Sequence, residues 1–147
     1  MPFFTFTNRL RLWAFVGFFA CLFAVIGAHA WRMAGLRELA REWQQAHSRK
    51  DLSALEALYC WDGVDAPLRS KMQAVFLQEF EIPVRSVTAE RASGVDYLQM
   101  ETQRPNLTPT GVVVVQFESP DGLGARLMAG GSWTHPKFVV LLPLSAE

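Results

Sequence analysis

Residues 12–31 form a run of twenty amino acids without a formal charge, LWAFVGFFACLFAVIGAHAW, and this run constrains the chain more than any other feature. At the α-helical rise of ~1.5 Å per residue it reaches about 30 Å, the thickness of the hydrocarbon core of a bilayer. We therefore predict a tail over residues 1–11, a transmembrane helix over 12–33 that contacts the lipid bilayer, and one soluble domain over 34–147. The residues expected at the two membrane interfaces are Trp13, Trp31, Arg9, Arg11 and Arg32.

The same segment has features of a secretory signal peptide. Arg9 and Arg11 give it a charged start, and residues 28–30, Ala-His-Ala, have the small-x-small form of a cleavage site. However, the apolar core over residues 12–28 is longer than the ~7–15 residues of a usual signal, and Trp31 lies just beyond the supposed cut. A signal anchor therefore fits better than a cleaved signal, whereas cleavage after Ala30 would release a secreted domain.

The side of the membrane that the domain faces depends on two opposing signals. More Lys and Arg residues follow the run than precede it, which by the positive-inside rule would place the domain in the cytoplasm. Several of the basic residues after the run have acidic neighbours on a predicted amphipathic helix. The N-terminal segment of the chain also resembles an uncleaved secretory signal. We therefore expect a periplasmic domain. The basic residues that follow the run are Arg32, Arg37, Arg41, Arg49 and Lys50.

The predicted domain is mildly acidic. Residues 34–147 carry 11 basic and 14 acidic side chains, a net charge of −3, without a basic stripe that would suit nucleic acid. Cys21 lies in the apolar run and Cys60 in the domain, so they do not form a disulfide framework. The three histidines lack metal-ligand spacing, and no glycine-rich phosphate loop follows a strand. We expect no metal, no cofactor and no nucleic-acid partner.

The first half of the domain has the three-to-four spacing of amphipathic helices. Residues 34–48 combine an apolar stripe with mixed charges, which favours packing onto the domain, and Gly35 is expected to soften the junction with the membrane helix. Asp51 or Ser53 caps a second helix, and Asp65 caps a third. The predicted apolar stripes of the three helices are Leu36, Leu39, Ala40, Trp43 and Ala46; Leu52, Leu55, Leu58 and Tyr59; and Leu68, Met72, Val75, Phe76 and Phe80.

The second half of the domain alternates with a period of two and predicts antiparallel strands. The four consecutive valines at 112–115 require a central strand because both faces need cover. Residues 104–111 contain two prolines and are predicted to be a connection. The result is an α+β domain, with two to three helices packed on a curved sheet of four to five strands. The predicted strands cover residues 85–91, 97–102, 112–117, 123–133 and 138–142, and Gly130-Gly131 is predicted to bend the fourth.

Two motifs carry a resemblance to a known fold. They are LYCWDGVD at residues 58–65 and RPNLxPxG at residues 104–111. With the order of helices and strands, they resemble the cystatin-like cone of the nuclear transport factor 2-like superfamily, which includes SnoaL-like enzymes, and more narrowly a small bacterial group of such domains. The resemblance covers about residues 36–144 and implies a cone fold and a bacterial inner membrane location. The chain contains no match to the catalytic His/Asp pair of the enzymes.

The resemblance also implies a pocket near the end of the second helix. Asp62 is the one candidate general base there, if burial raises its pKa. The simpler interpretation, which we favour, is that Tyr59 and Trp61 fill the core while Asp62 and Gly63 form a turn. The candidate pocket residues are Tyr59, Trp61, Asp62, Met72, Phe76, Tyr97 and Trp133.

Three functions are consistent with these patterns. We favour a membrane-anchored, non-catalytic interaction or scaffold domain, such as an accessory subunit of a membrane complex, because residues 33–52 contain no Pro- or Gly/Ser-rich tether. Its partner would be a protein in or at the membrane, or a second copy of the chain through the sheet. The alternatives are a cone that holds a small apolar ligand and a SnoaL-like isomerase or hydratase that uses Asp62. An open apolar cavity would favour the ligand-binding cone.

Overall fold

The structure is a computed structural model that describes residues 27, 30, 33–93 and 103–144. Among these residues, no helix combines the length and the apolar character needed to cross a bilayer. Apart from Gly27, Ala30 and Met33, the predicted transmembrane segment lies outside the described residues, as does the predicted strand at 97–102. The described part is an α+β arrangement in which helices pack against a curved antiparallel sheet.

Three helices form where the apolar spacing predicted them. Helix α1 covers residues 33–48 and buries its whole predicted stripe. Helix α2 (Leu52–Ala57) is capped by Asp51, whose Oδ1 accepts a hydrogen bond from the backbone N–H of Ala54 at 2.9 Å. Helix α3 (Ala66–Glu79) is capped in the same way by Asp65, as predicted. The stripe of α3 is less buried than expected, because Val75 is 48% exposed.

Gly35 permits a close tertiary contact. It is a buried residue within α1, and a Cβ at this position would overlap the backbone carbonyl oxygen of Trp133. The helix therefore approaches the loop that follows the fourth strand more closely than any larger residue would permit. No pattern in the sequence indicates this tertiary contact, and the soft junction with the membrane helix stays a prediction because most of that helix lies outside the described residues.

Six strands form two antiparallel sheets. The strands are β1 (Val84–Glu90), β2 (Gln103–Pro105), β3 (Pro109–Phe117), β4 (Gly124–Gly131), β5 (Pro136–Phe138) and β6 (Leu141–Pro143). Four of them make one sheet in the order β1-β3-β4-β5, so the valine strand β3 is central, as predicted, and β2 pairs with β6 separately. The predicted irregularity near Gly130 is a register shift on β3, between Pro109 and Gly111.

Two predictions about the strands were wrong. The predicted connection over residues 104–111 contributes most of β2 and the start of β3, and the predicted last strand is split into β5 and β6. Asn106 explains the split because it binds Val140 twice: its backbone N–H donates to the Val140 carbonyl at 3.0 Å, and its Oδ1 accepts from the Val140 N–H at 2.8 Å. The Val139 N–H still donates to the Met128 carbonyl of β4 at 2.8 Å, so these bonds take the chain out of the main sheet after Val139.

The core lies mainly between the helices and one face of the four-stranded sheet. Trp43 of α1, Leu55 of α2 and Phe138 of β5 are almost completely buried there, together with alternate residues of β3. A smaller cluster on the opposite face contains Val112 and Met128. Both faces of β3 are therefore covered, which is the environment that its consecutive valines required.

Candidate functional site

An open cavity lies between α3 and the incomplete end of the four-stranded sheet. Strand β5 pairs only with Ala129–Gly131 of β4, and beyond Val139, whose N–H donates to the Met128 carbonyl, the chain leaves towards β6. The remaining part of β4, the departing chain at residues 139–141 and one face of α3 enclose a cavity of about 420 Å³. This volume lies within the range of small-molecule binding sites.

The walls of the cavity are mainly apolar. Helix α3 contributes side chains at a spacing of three to four residues, which places them on one face of the helix. The Tyr59 ring lies opposite, with its centroid 4.9 Å from that of Phe76 and 5.0 Å from that of Phe138. The apolar lining residues are Leu68, Met72, Val75, Phe76, Leu127, Met128, Phe138, Val139, Val140 and Leu141.

Three charged residues also line the cavity: Lys71, Glu79 and Arg126. The Arg126 guanidinium contacts the carboxylate of Glu90 at 3.3 Å. Lys71 is exposed and has no ion-pair partner among the described residues. The site thus combines apolar walls with a few ionic groups, the usual composition of a small-molecule pocket.

Burial alters the chemistry of two polar groups in the cavity. It raises the pKa of the Glu79 carboxyl, so this group takes up a proton more readily than a free glutamate. Burial, and next the nearby charge of Glu79, raise the pKa of the Tyr59 phenol, which therefore stays neutral at physiological pH. The buried Trp43 indole N–H has a smaller opposite effect on the phenol, but it makes no hydrogen bond of ordinary geometry within the described part of the chain.

His47 supports the end of α3 behind the cavity. Its Nε2–H donates to the Glu79 backbone carbonyl at 2.9 Å, and its ring stacks on Trp43 with centroids 4.9 Å apart. Burial lowers the pKa of the His47 imidazole; the hydrogen bond to Glu79 opposes this effect, and the charge of Lys50 adds to it. The neutral ring is therefore the form that the folded chain favours.

We expect this histidine to make folding sensitive to mild acid. Because the imidazole is protonated more readily in the unfolded chain than in the folded one, its contribution to the free energy of unfolding is present above a pH of about 6.5 and decreases below it. Glu79 acts in the opposite sense, since its raised pKa adds stability as the pH falls. Thermal unfolding of the wild type and of His47→Gln between pH 7.5 and 5 isolates the histidine. Equal pH dependence in the two proteins would contradict this assignment.

The structure brings together some of the predicted pocket residues. Tyr59, Met72 and Phe76 line the cavity. Trp61 lies outside it, where its indole N–H donates to the Glu56 carbonyl at 2.8 Å. Asp62 is exposed and also lies outside the cavity. Trp133 is 48% exposed beyond the end of β4, and Tyr97 is not among the described residues.

The sequence patterns did not identify the charged residues of the cavity as candidate site residues. Glu79 had a usable signal, because it follows Met72 by seven residues and Phe76 by three and so lies on the apolar stripe of α3. Lys71 and Arg126 had none, since their proximity arises only when β4 and α3 come together. No group of three or more His, Cys, Asp or Glu residues able to hold a metal ion occurs in the described ranges.

Comparisons with known proteins do not identify the function of this cavity, so we interpret it from its geometry. Protein-family models, curated proteins and solved structures give no match to this chain.

Proposed function

We propose that this domain is a non-catalytic binding module that takes up a small apolar ligand in the cavity between α3 and the sheet. The observation that carries the proposal is the open cavity of about 420 Å³ with mainly apolar walls. A domain that served only as a scaffold would gain stability by filling this space, because close packing is the normal state of protein interiors.

The cavity residues of α3 supply a reason for a ligand to bind. Val75 is 48% exposed, and Leu68 and Met72 are only partly buried. A ligand that covers them removes apolar surface from water, which is worth about 25 cal/mol for each Å². The neutral Tyr59 phenol and the Glu79 carboxyl add polar groups that can orient the ligand.

A location beside a membrane fits this proposal. The charge-free run at residues 12–31 supports an anchor, and an apolar ligand would partition into the bilayer next to the domain. Helices over a curved sheet are also the arrangement that the resemblance to nuclear transport factor 2-like cones implies. An isomerase or hydratase that uses Asp62 gains no support, because this carboxylate is exposed outside the cavity.

An interaction or scaffold role for a membrane-bound protein partner is the second candidate. Leu77 of α3 is 53% exposed and Leu144 is 57% exposed, so apolar side chains are available for contacts. Single exposed apolar residues are nevertheless common on protein surfaces. This candidate, including pairing of two copies through the sheet, therefore rests mainly on the predicted anchor.

Photolabelling tests the proposed function. The full chain in lipid nanodiscs is irradiated with a neutral decanol analogue that carries a diazirine, and labelled peptides are mapped by mass spectrometry. We expect saturable label on α3 and on residues 139–141, and we expect excess decanol to reduce it. Label that is confined to residues 12–33, or that decanol does not reduce, would contradict the proposal.

A further inference from the structure

The region around the cavity is less acidic than the domain as a whole. Residues 34–147 carry a net charge of −3. The cavity is lined by two cationic side chains, Lys71 and Arg126, and by one carboxyl group, that of Glu79. Because Glu90 pairs with Arg126, these charges are close to balanced, so this region repels an anion less than the rest of the acidic domain does.

The adjoining surface adds one cation and one carboxylate. A second cavity of about 460 Å³ meets the first at Leu68 and is lined by Arg104 and Asp65. The Asp65 carboxylate accepts the Leu68 N–H at 2.8 Å as the cap of α3 and keeps its negative charge. Arg104, like Lys71, has no ion-pair partner among the described residues. The two cavities share Leu68, and Lys71 and Arg104 are the cations that line them without an ion-pair partner in the described part of the chain.

We propose that the ligand is an amphipathic acid: a single apolar chain that lies in the cavity and an ionised carboxylate that pairs with Lys71. This inference rests on the proposed function and specifies the class of ligand. Arg126 is the weaker partner because Glu90 shares its guanidinium. Lys71 is better placed, since its methylene stem can lie along the apolar wall while its ammonium stays at the rim.

The carboxylate distinguishes this ligand from neutral and cationic molecules of the same shape. A neutral alcohol gains the apolar contacts but no ion pair, and an alkyl amine that binds in the same orientation places its ammonium against that of Lys71. A charge-assisted hydrogen bond to an ammonium is about twice as strong as a neutral one. Each further methylene that enters the cavity should strengthen binding about fourfold.

Equilibrium dialysis of radiolabelled ligands tests the proposal. The full chain in nanodiscs of zwitterionic lipid is dialysed at pH 7.5 against decanoate, decanol or decylamine, and empty nanodiscs give the background. Lys71→Met removes the charge and keeps an apolar side chain of similar length. Arg85→Met is the matched control, because Arg85 is an exposed cation that lines none of the cavities described above.

The expected results separate this inference from the proposed function. Decanoate should bind more tightly than decanol and decylamine, and Lys71→Met should lower the preference for decanoate over decanol about fivefold. Lys71→Arg should restore decanoate binding, and Arg85→Met should leave it unchanged. If decanol binds as well as decanoate, or if Lys71→Met has no effect, the proposal that the ligand is an acid is contradicted. The proposal that the cavity binds an apolar ligand is not affected by that result. If neither ligand binds above background, both proposals fail.

Discussion

Replacing Asn106 by leucine is expected to lower the free energy of unfolding by about 4 kcal/mol. The Asn106 amide donates to the carbonyls of Cys60 at 2.7 Å and Asp62 at 3.1 Å, and its Oδ1 accepts from the Val140 N–H at 2.8 Å. Cys60 and Val140 are buried, so the substitution leaves a carbonyl and an N–H without partners away from water. Each such group costs about 1–3 kcal/mol.

Denaturant unfolding of the full chain measures this effect. Gln116→Leu is the matched control because Gln116 is an exposed amide on β3, and its replacement should change the free energy of unfolding by less than about 0.5 kcal/mol. A loss below about 1 kcal/mol for Asn106→Leu would show that the three bonds do not hold the end of the sheet in place.

Asn106 also gives a physical meaning to the two sequence motifs. It belongs to RPNLxPxG, and the carbonyls that it binds belong to LYCWDGVD. The residues that carry the resemblance are therefore joined to each other in the folded chain. Their role at this point is structural: they hold the second helix against the place where β5 ends and the cavity opens.

The helices could be predicted because their signals are local. Asp51 and Asp65 cap the helices that follow them within three residues, and the stripe of α1 is read directly from its spacing. Strands β2 and β6 could not be predicted in this way, since each has three residues and forms only against the other. The split after Phe138 depends on Asn106, which is more than thirty residues away in sequence.

The candidate site was predictable only in its apolar part. Met72 and Phe76 could be placed together because they lie on one helical stripe, and Tyr59 because it ends the preceding helix. The sequence contains no indication that β5 is short, so it could not reveal the gap beside Leu127 that opens the cavity. It also drew attention to Asp62, because an acidic residue between aromatic residues and a glycine looks the same whether it lines a pocket or a turn.

Filling the cavity is expected to weaken ligand binding at least about tenfold. Met72 lines the cavity and is only partly buried, so a tryptophan at this position would occupy space that the ligand needs. If about 60 Å² of apolar ligand surface is left uncovered, binding weakens by about 1.5 kcal/mol or about tenfold. Leu77→Trp is the matched control, since Leu77 lies on the same helix, is 53% exposed and does not line the cavity.

Saturable binding of radiolabelled decanol to these two variants is the most direct test, because decanol binding does not depend on the charge of the ligand. We predict that Met72→Trp weakens binding at least tenfold and that Leu77→Trp changes it less than twofold, with wild-type circular dichroism in both. If Met72→Trp does not fold, Val75→Trp fills the same cavity from a more exposed position. Wild-type decanol affinity in a folded cavity-filling variant would contradict the assignment of this cavity as the ligand site.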